Sequence, residues 1–193
     1  MEILLQLWGG LFYLFAKIFL ARAEGEENSK WRTWGWITYL LGVPPWVIIL
    51  ALNQNWIAMA LEAGGIPAII LGIIISVKQL EQAPRVIDKG TKIFTWILII
   101  IGTMYSVYDF GGVTAFSQIL ELGVTVGFLL GTYLLAKKDG KGWLCFILMN
   151  VSMGTLMLIQ EKWIFAILQA ISICFVIYGF IKSKKIRAII NNT

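Results

Sequence analysis

The chain has 193 residues, 59% of them hydrophobic, with a mean hydropathy of +0.79 and a formal net charge of +5. A soluble domain is roughly 45–50% apolar, so the excess calls for helices that face lipid. His is absent, which excludes Ser-His and Cys-His catalytic pairs and His-containing metal sites, and the two cysteines, Cys145 and Cys174, lie in apolar segments and read as small buried thiols without a disulfide framework.

A helix needs about 20 mostly apolar residues to cross the bilayer core. Taken in chain order, seven stretches qualify: Ile3–Ala21, Trp34–Leu52, Trp56–Val77, Lys92–Phe110, Thr114–Ala136, Gly142–Gln160 and Trp163–Ile181. None shows the apolar–polar alternation of barrel strands. The first stretch follows Met1-Glu2 without the basic region of a signal peptide, so it reads as a retained span. Within it, Lys17 is one turn from the basic end and is expected to snorkel there. Pro44-Pro45 and Pro67 are expected to bend the second and third spans, because proline removes a backbone hydrogen bond.

The connections alternate in character. Asn53–Asn55, Gly111–Val113 and Glu161-Lys162 are short, whereas Arg22–Thr33, Lys78–Thr91 and Lys137–Lys141 are longer and charged. All the long ones therefore lie on one side, together with the basic tail 182–193. That side holds 14 of the 16 Lys and Arg residues; Lys162 is on the other and Lys17 is within a span. The positive-inside rule then puts the N-terminus outside and the C-terminus in the cytoplasm of a cell-membrane protein. The sequon Asn191-Asn192-Thr193 falls on the cytoplasmic side and is discarded. The basic charge is thus topological, and no nucleic-acid partner is expected.

A shift of 107 residues aligns two helical hairpins without a gap. Trp36, Leu41, Trp56, Ile57, Leu61, Ala63, Ile66, Gly72, Ser76 and Lys78 are among the residues that meet identical ones over these 43 positions. Leu20-Ala21-Arg22 also resembles Leu135-Ala136-Lys137. The expectation is a single all-α membrane domain spanning residues 1–193. Its first repeat covers residues 3–77, a linker helix 92–110, and a second repeat 114–181. This 3+1+3 parallel repeat is of the SWEET type, with a site between the halves near the midplane.

Polar groups within spans are costly and are functional candidates. Asn150 lies about 12 Å into its helix, eight residues at 1.5 Å each. Trp143, Phe146 and Asn150 share one face by their spacing. Glu62 lies about 9 Å from the outer end, and its repeat mate is Gln169. The repeat sets Trp36 and Tyr39 opposite Trp143 and Phe146. Each has a plainer reading: the aromatics as packing or interface anchors, Asn150 as an interhelical hydrogen bonder, Glu62 as a protonated structural group. Gln118 and Glu121 lean to a structural role. Together, however, the aromatics suit a flat ring, and the carboxylate and amide suit hydroxyls, an amide or a cation.

Trp143, Phe146 and Asn150, followed by Gln160, resemble the W-x-x-W-x-x-x-N signature of PnuC-type vitamin transporters, with Phe146 in place of the second Trp. Trp56 through Glu62 resembles a stretch where that family often carries an aromatic and, six residues on, Gln. The resemblance implies facilitated diffusion of nicotinamide riboside, or of thiamine or riboflavin, by alternating access without a cofactor. It also implies a homo-oligomer, a trimer in that family, and a cytoplasmic kinase that traps the substrate. Carried over, Trp143, Phe146 and Asn150 contact the substrate. Two other classes remain as rivals. An intramembrane hydrolase lacks a nucleophile with a base, since Ser152 and Ser172 have no mid-membrane Lys and Asp109 is at a helix end. A non-transporting scaffold would tolerate Asn150→Leu.

Overall fold

A computed structural model describes residues 2–26, 30–52, 56–109, 112 and 116–190. These residues form eight helices: α1 (Glu2–Ala23), α2 (Lys30–Leu52), α3 (Trp56–Gly64), α4 (Ile66–Val77), α5 (Arg85–Asp109), α6 (Phe116–Ala136), α7 (Lys141–Ile159) and α8 (Trp163–Ile190). Strands are absent among the described residues. Seven of the described spans are long and apolar enough to cross a membrane, α3 and α4 together making one of them. The connection 53–55, the residues Phe110, Gly111, Val113 and Thr114, and the sequon 191–193 lie outside the described residues.

The differences from the expected boundaries have local causes. The third span is two helices, because Pro67 cannot donate to the carbonyl four residues earlier; the chain turns instead through a Gly65 N–H donated to the Glu62 carbonyl at 3.2 Å. Gly64 and Gly65 let this joint sit close to its neighbours: a Cβ on Gly64 would meet Leu98 at 2.1 Å, and one on Gly65 would meet Phe128 at 2.6 Å. Pro44 and Pro45, in contrast, lie within one continuous α2. Helix α5 begins seven residues before the expected Lys92, since a polar first turn extends a span into the headgroup region without lipid cost. Helix α8 continues past Ile181 to Ile190, so most of the basic tail is helical.

Helices α4, α6 and α7 end alike. Gln79, Lys138 and Glu161 take left-handed φ values of 52°, 59° and 58°. The next residue's N–H then reaches back to Ile75, Leu134 and Met157 at 2.9, 2.9 and 2.8 Å. This Schellman closure satisfies the last carbonyls of each helix and reverses the chain within a few residues.

Helix α1 packs on α2, and α6 on α7; α2 packs on α4, and α7 on α8. The two groups meet through α1 on α8 and α4 on α6, with α5 outside against α3, α4 and α6. The main core contains Trp36, Tyr39, Phe128, Trp143 and Phe146. The outer surface is apolar: Trp8, Phe15, Trp96, Ile101, Leu148 and Ile171 are all exposed. In lipid an apolar side chain has no hydrophobic reason to turn inward. For the same reason Cys174 is exposed and Cys145 half-buried, both as free thiols, where burial of both was expected.

Candidate functional site

The aromatic side chains picked out from the sequence converge. Trp36, Tyr39, Trp143 and Phe146 are each 0% exposed. Tyr39 is the hub: it stacks on Trp36 at 6.1 Å between centroids and meets Phe146 edge-on at 6.1 Å. It also meets Tyr13 at 4.7 Å and Phe128 at 6.3 Å. Trp143 meets Phe146 at 6.3 Å, with planes at 71°. These tilted contacts are the favourable geometry for ring quadrupoles.

Glycines set the two indoles in place. A Cβ on Gly72 would meet Trp36 at 2.4 Å, and one on Gly179 would meet Trp143 at 2.7 Å. The α2 indole therefore lies against bare α4 backbone, and the α7 indole against bare α8 backbone. Gly35 faces Leu20 and Gly142 faces Leu135 in the same paired manner.

Three ionisable side chains enter this apolar centre. Lys17 of α1 is 2% exposed. Its Nζ donates to Asn150 Oδ1 at 2.8 Å and lies 5.8 Å from the Phe146 ring centre. The Asn150 Nδ2 in turn donates to the Phe146 carbonyl at 2.5 Å. The Tyr13 hydroxyl, one turn before Lys17 on α1, donates to Glu62. Glu62 stands just before the α3–α4 joint, and its backbone carbonyl accepts from the Gly65 N–H there. Lys17 therefore does not snorkel as expected. Helical side chains lean toward the helix N-terminus, and for Lys17 that direction is away from the basic end and into the core.

At the basic end, the Trp143 indole N–H donates to Glu24 at 3.1 Å. Glu24 also pairs with Arg32 at 3.6 Å, both side chains being at least nine-tenths buried. Gln169 is set apart from the rings: it lines a groove of about 210 Å³ between α7 and α8 with Asn150, Gly154, Thr155 and Ala166. Its Oε1 is buried without a hydrogen-bond partner among the described residues, as is the Trp36 indole N–H. Gln118 is fully buried and donates to the Ser106 carbonyl at 3.0 Å, tying α6 to α5, and Glu121 is exposed.

Sequence reasoning missed Tyr13, Lys17, Glu24 and Arg32. For Lys17 the signal was present, a charge inside an apolar stretch with Tyr13 one turn earlier. Glu24 follows α1 and Arg32 lies in the first turn of α2; in the sequence both fall in a polar stretch, where nothing in the pattern distinguishes them from solvated residues.

No curated protein and no solved structure gives a significant match to the chain. A family model, described as nicotinamide mononucleotide transporter, matches residues 4–185. That is almost the entire chain, including every helix that contributes to the aromatic cluster. The family is one of transporters and not of enzymes. Ionisable groups converging inside an otherwise apolar bundle are functional-site candidates. The chain belongs to the PnuC-type nicotinamide mononucleotide transporter family.

Proposed function

We propose that this membrane transporter moves nicotinamide riboside, passively and by alternating access, through a site formed by Trp36, Tyr39, Glu62, Trp143, Phe146, Asn150 and Gln169. The observation that carries the reading is the convergence of four fully buried aromatics with Lys17, Asn150 and Glu62, from helices of both halves of the chain. Ionisable groups inside a membrane bundle are costly, and they mark binding and transport pathways. Flat aromatic faces favour a planar and especially a cationic ring.

The packing supports two related halves. Under the repeat, α1 corresponds to α6, α2 to α7 and α4 to α8. The contact of α1 with α8 then has its counterpart in α6 with α4. The Gly72–Trp36 contact likewise has its counterpart in Gly179–Trp143. Such pseudo-symmetry lets one triplet rock against the other around a fixed site. Tyr39 and Phe146 stand 6.1 Å apart. They meet edge-on and in contact, so no substrate ring fits between them as they stand. Substrate entry therefore requires these walls to part.

In this reading the N-terminus is outside, the basic connections and the α8 extension face the cytoplasm, and a kinase there makes uptake one-way. Self-association into a trimer, as in the resembled family, belongs to the same proposal. Uptake of nicotinamide riboside, thiamine and riboflavin into proteoliposomes tests it. Saturable nicotinamide riboside uptake without an ion gradient is expected. Uptake of none of the three would sink the proposal, and selective uptake of one of the others would reassign the substrate.

A further inference from the structure

Resting on that reading, we propose that Lys17 selects substrate by charge, so that the site prefers a dipolar aromatic ring, carrying a positive charge and a carboxylate, over the same ring with a neutral carboxamide. Asn150 sets the geometry. Its oxygen accepts from Lys17 and its nitrogen donates to the Phe146 carbonyl, so both ends of the amide are engaged within the protein. Asn150 thus holds Lys17 in place, and the charged group this sets at the rings is the Lys17 ammonium.

An ammonium has three N–H donors and no acceptor. Among the described residues, one donor is taken, by Asn150. A carboxylate can take the others in charge-assisted bonds, roughly twice as strong as neutral ones. A carboxamide offers one acceptor oxygen, and its NH₂ finds nothing on Lys17 to donate to.

The opposite charge is held separately. Glu62 accepts from Tyr13 and forms no direct ion pair with Lys17; the ion pairs among the described residues are Arg32–Glu24 and Lys137–Asp88. An aromatic path connects the two charges, from Tyr13 on Glu62, through Tyr39, to Phe146 beneath Lys17. A purely cationic ligand meets Glu62 favourably and Lys17 unfavourably. A planar ligand with a positive ring and a carboxylate answers both, and leaves no buried charge uncompensated.

The matched ligands are nicotinic acid riboside and nicotinamide riboside, which differ in this one group. Titration calorimetry on the full-length protein in nanodiscs is expected to show the acid binding at least about tenfold tighter, about 1.4 kcal/mol. In Lys17→Gln the preference should fall to within about twofold or invert, with the amide still bound. Lys17→Arg should retain it. Because Lys17→Gln leaves Glu62 without a counter-charge, Lys17→Gln combined with Glu62→Gln serves as the charge-balanced control, with thermal unfolding reporting its integrity. Wild-type protein that binds the amide as tightly as the acid overturns charge selection alone. An unchanged preference in folded Lys17→Gln does the same. Binding of neither riboside overturns this inference and the function on which it rests.

Discussion

Both ends of the Asn150 amide are engaged inside the protein, and that fixes what a substitution there does. Asn150→Leu removes the acceptor for a lysine that is 2% exposed. Leaving a buried donor without its acceptor costs about 1–3 kcal/mol, and more when the donor is charged. Asn150→Leu is therefore expected to lower the unfolding midpoint in detergent as well as substrate affinity. Asn150→Asp, which keeps an acceptor for Lys17, should lose much less stability. Equal midpoints for the Leu variant and wild type would show that Lys17 has another partner. At this scale the sequence revealed the aromatic and amide positions, because a polar or aromatic residue at helical spacing is visible in one dimension. The direction in which Lys17 points was not visible, since it depends on which way the helix runs relative to the nearest interface.

At the scale of the elements, α6 meets α7 through Gly123, Gly127 and Gly131, spaced by four on one face. Small residues let membrane helices approach closely, where packing replaces the hydrophobic effect as the cohesive force. At Gly127 the approach is to backbone: an added Cβ would lie 2.6 Å from the Cys145 carbonyl oxygen and 2.7 Å from the Met149 nitrogen. Backbone cannot move aside as a side chain can. Gly127→Ala is expected to cost about 1–3 kcal/mol, read as a lower thermal midpoint, whereas Gly154→Ala, 3.4 Å from the Gln169 Cβ, should be nearly neutral. A second link joins α5 to the end of α6, where Lys137 donates to Asp88 at 2.9 Å. That hydrogen bond raises the Lys137 ammonium above its ordinary range. A lysine raised in the folded state stabilises fully below its unfolded value and loses the contribution as pH rises through the folded one. The pair is partly exposed, so its worth is about 0–1 kcal/mol. Lys137→Met should narrow the stability difference between pH 8 and pH 11, and an identical pH profile would remove the pair from the account. The α3–α4 break had its signal in Pro67. What the sequence withheld was the consequence, that Glu62 would stand at the joint, because that depends on how α3 turns against α5 and α6.

For the whole molecule, the alternation of charged and short connections predicts that Gln82 and Lys162 lie on opposite faces of the membrane. In a variant with both native cysteines replaced by Ala, an impermeant maleimide applied to intact cells should label Lys162→Cys and leave Gln82→Cys unlabelled; the reverse pattern would invert the topology. The sequence by itself determined that the chain is a seven-span membrane bundle. Spans are set by hydrocarbon thickness and by the obligation of each helix to satisfy its own backbone, and both are properties of consecutive residues. It also supplied the repeat alignment and the family signature at Trp143, Phe146 and Asn150. Only the tertiary structure decided that Asn150 holds Lys17, that Glu24 holds Trp143, and that Glu62 belongs to Tyr13. Those partners come from different parts of the chain, the members of each pair lying 133, 119 and 49 positions apart. Long-range partners are chosen by which helix faces meet, and in lipid that choice rests on glycine contacts and buried polar pairs, since the apolar pattern faces outward and inward alike.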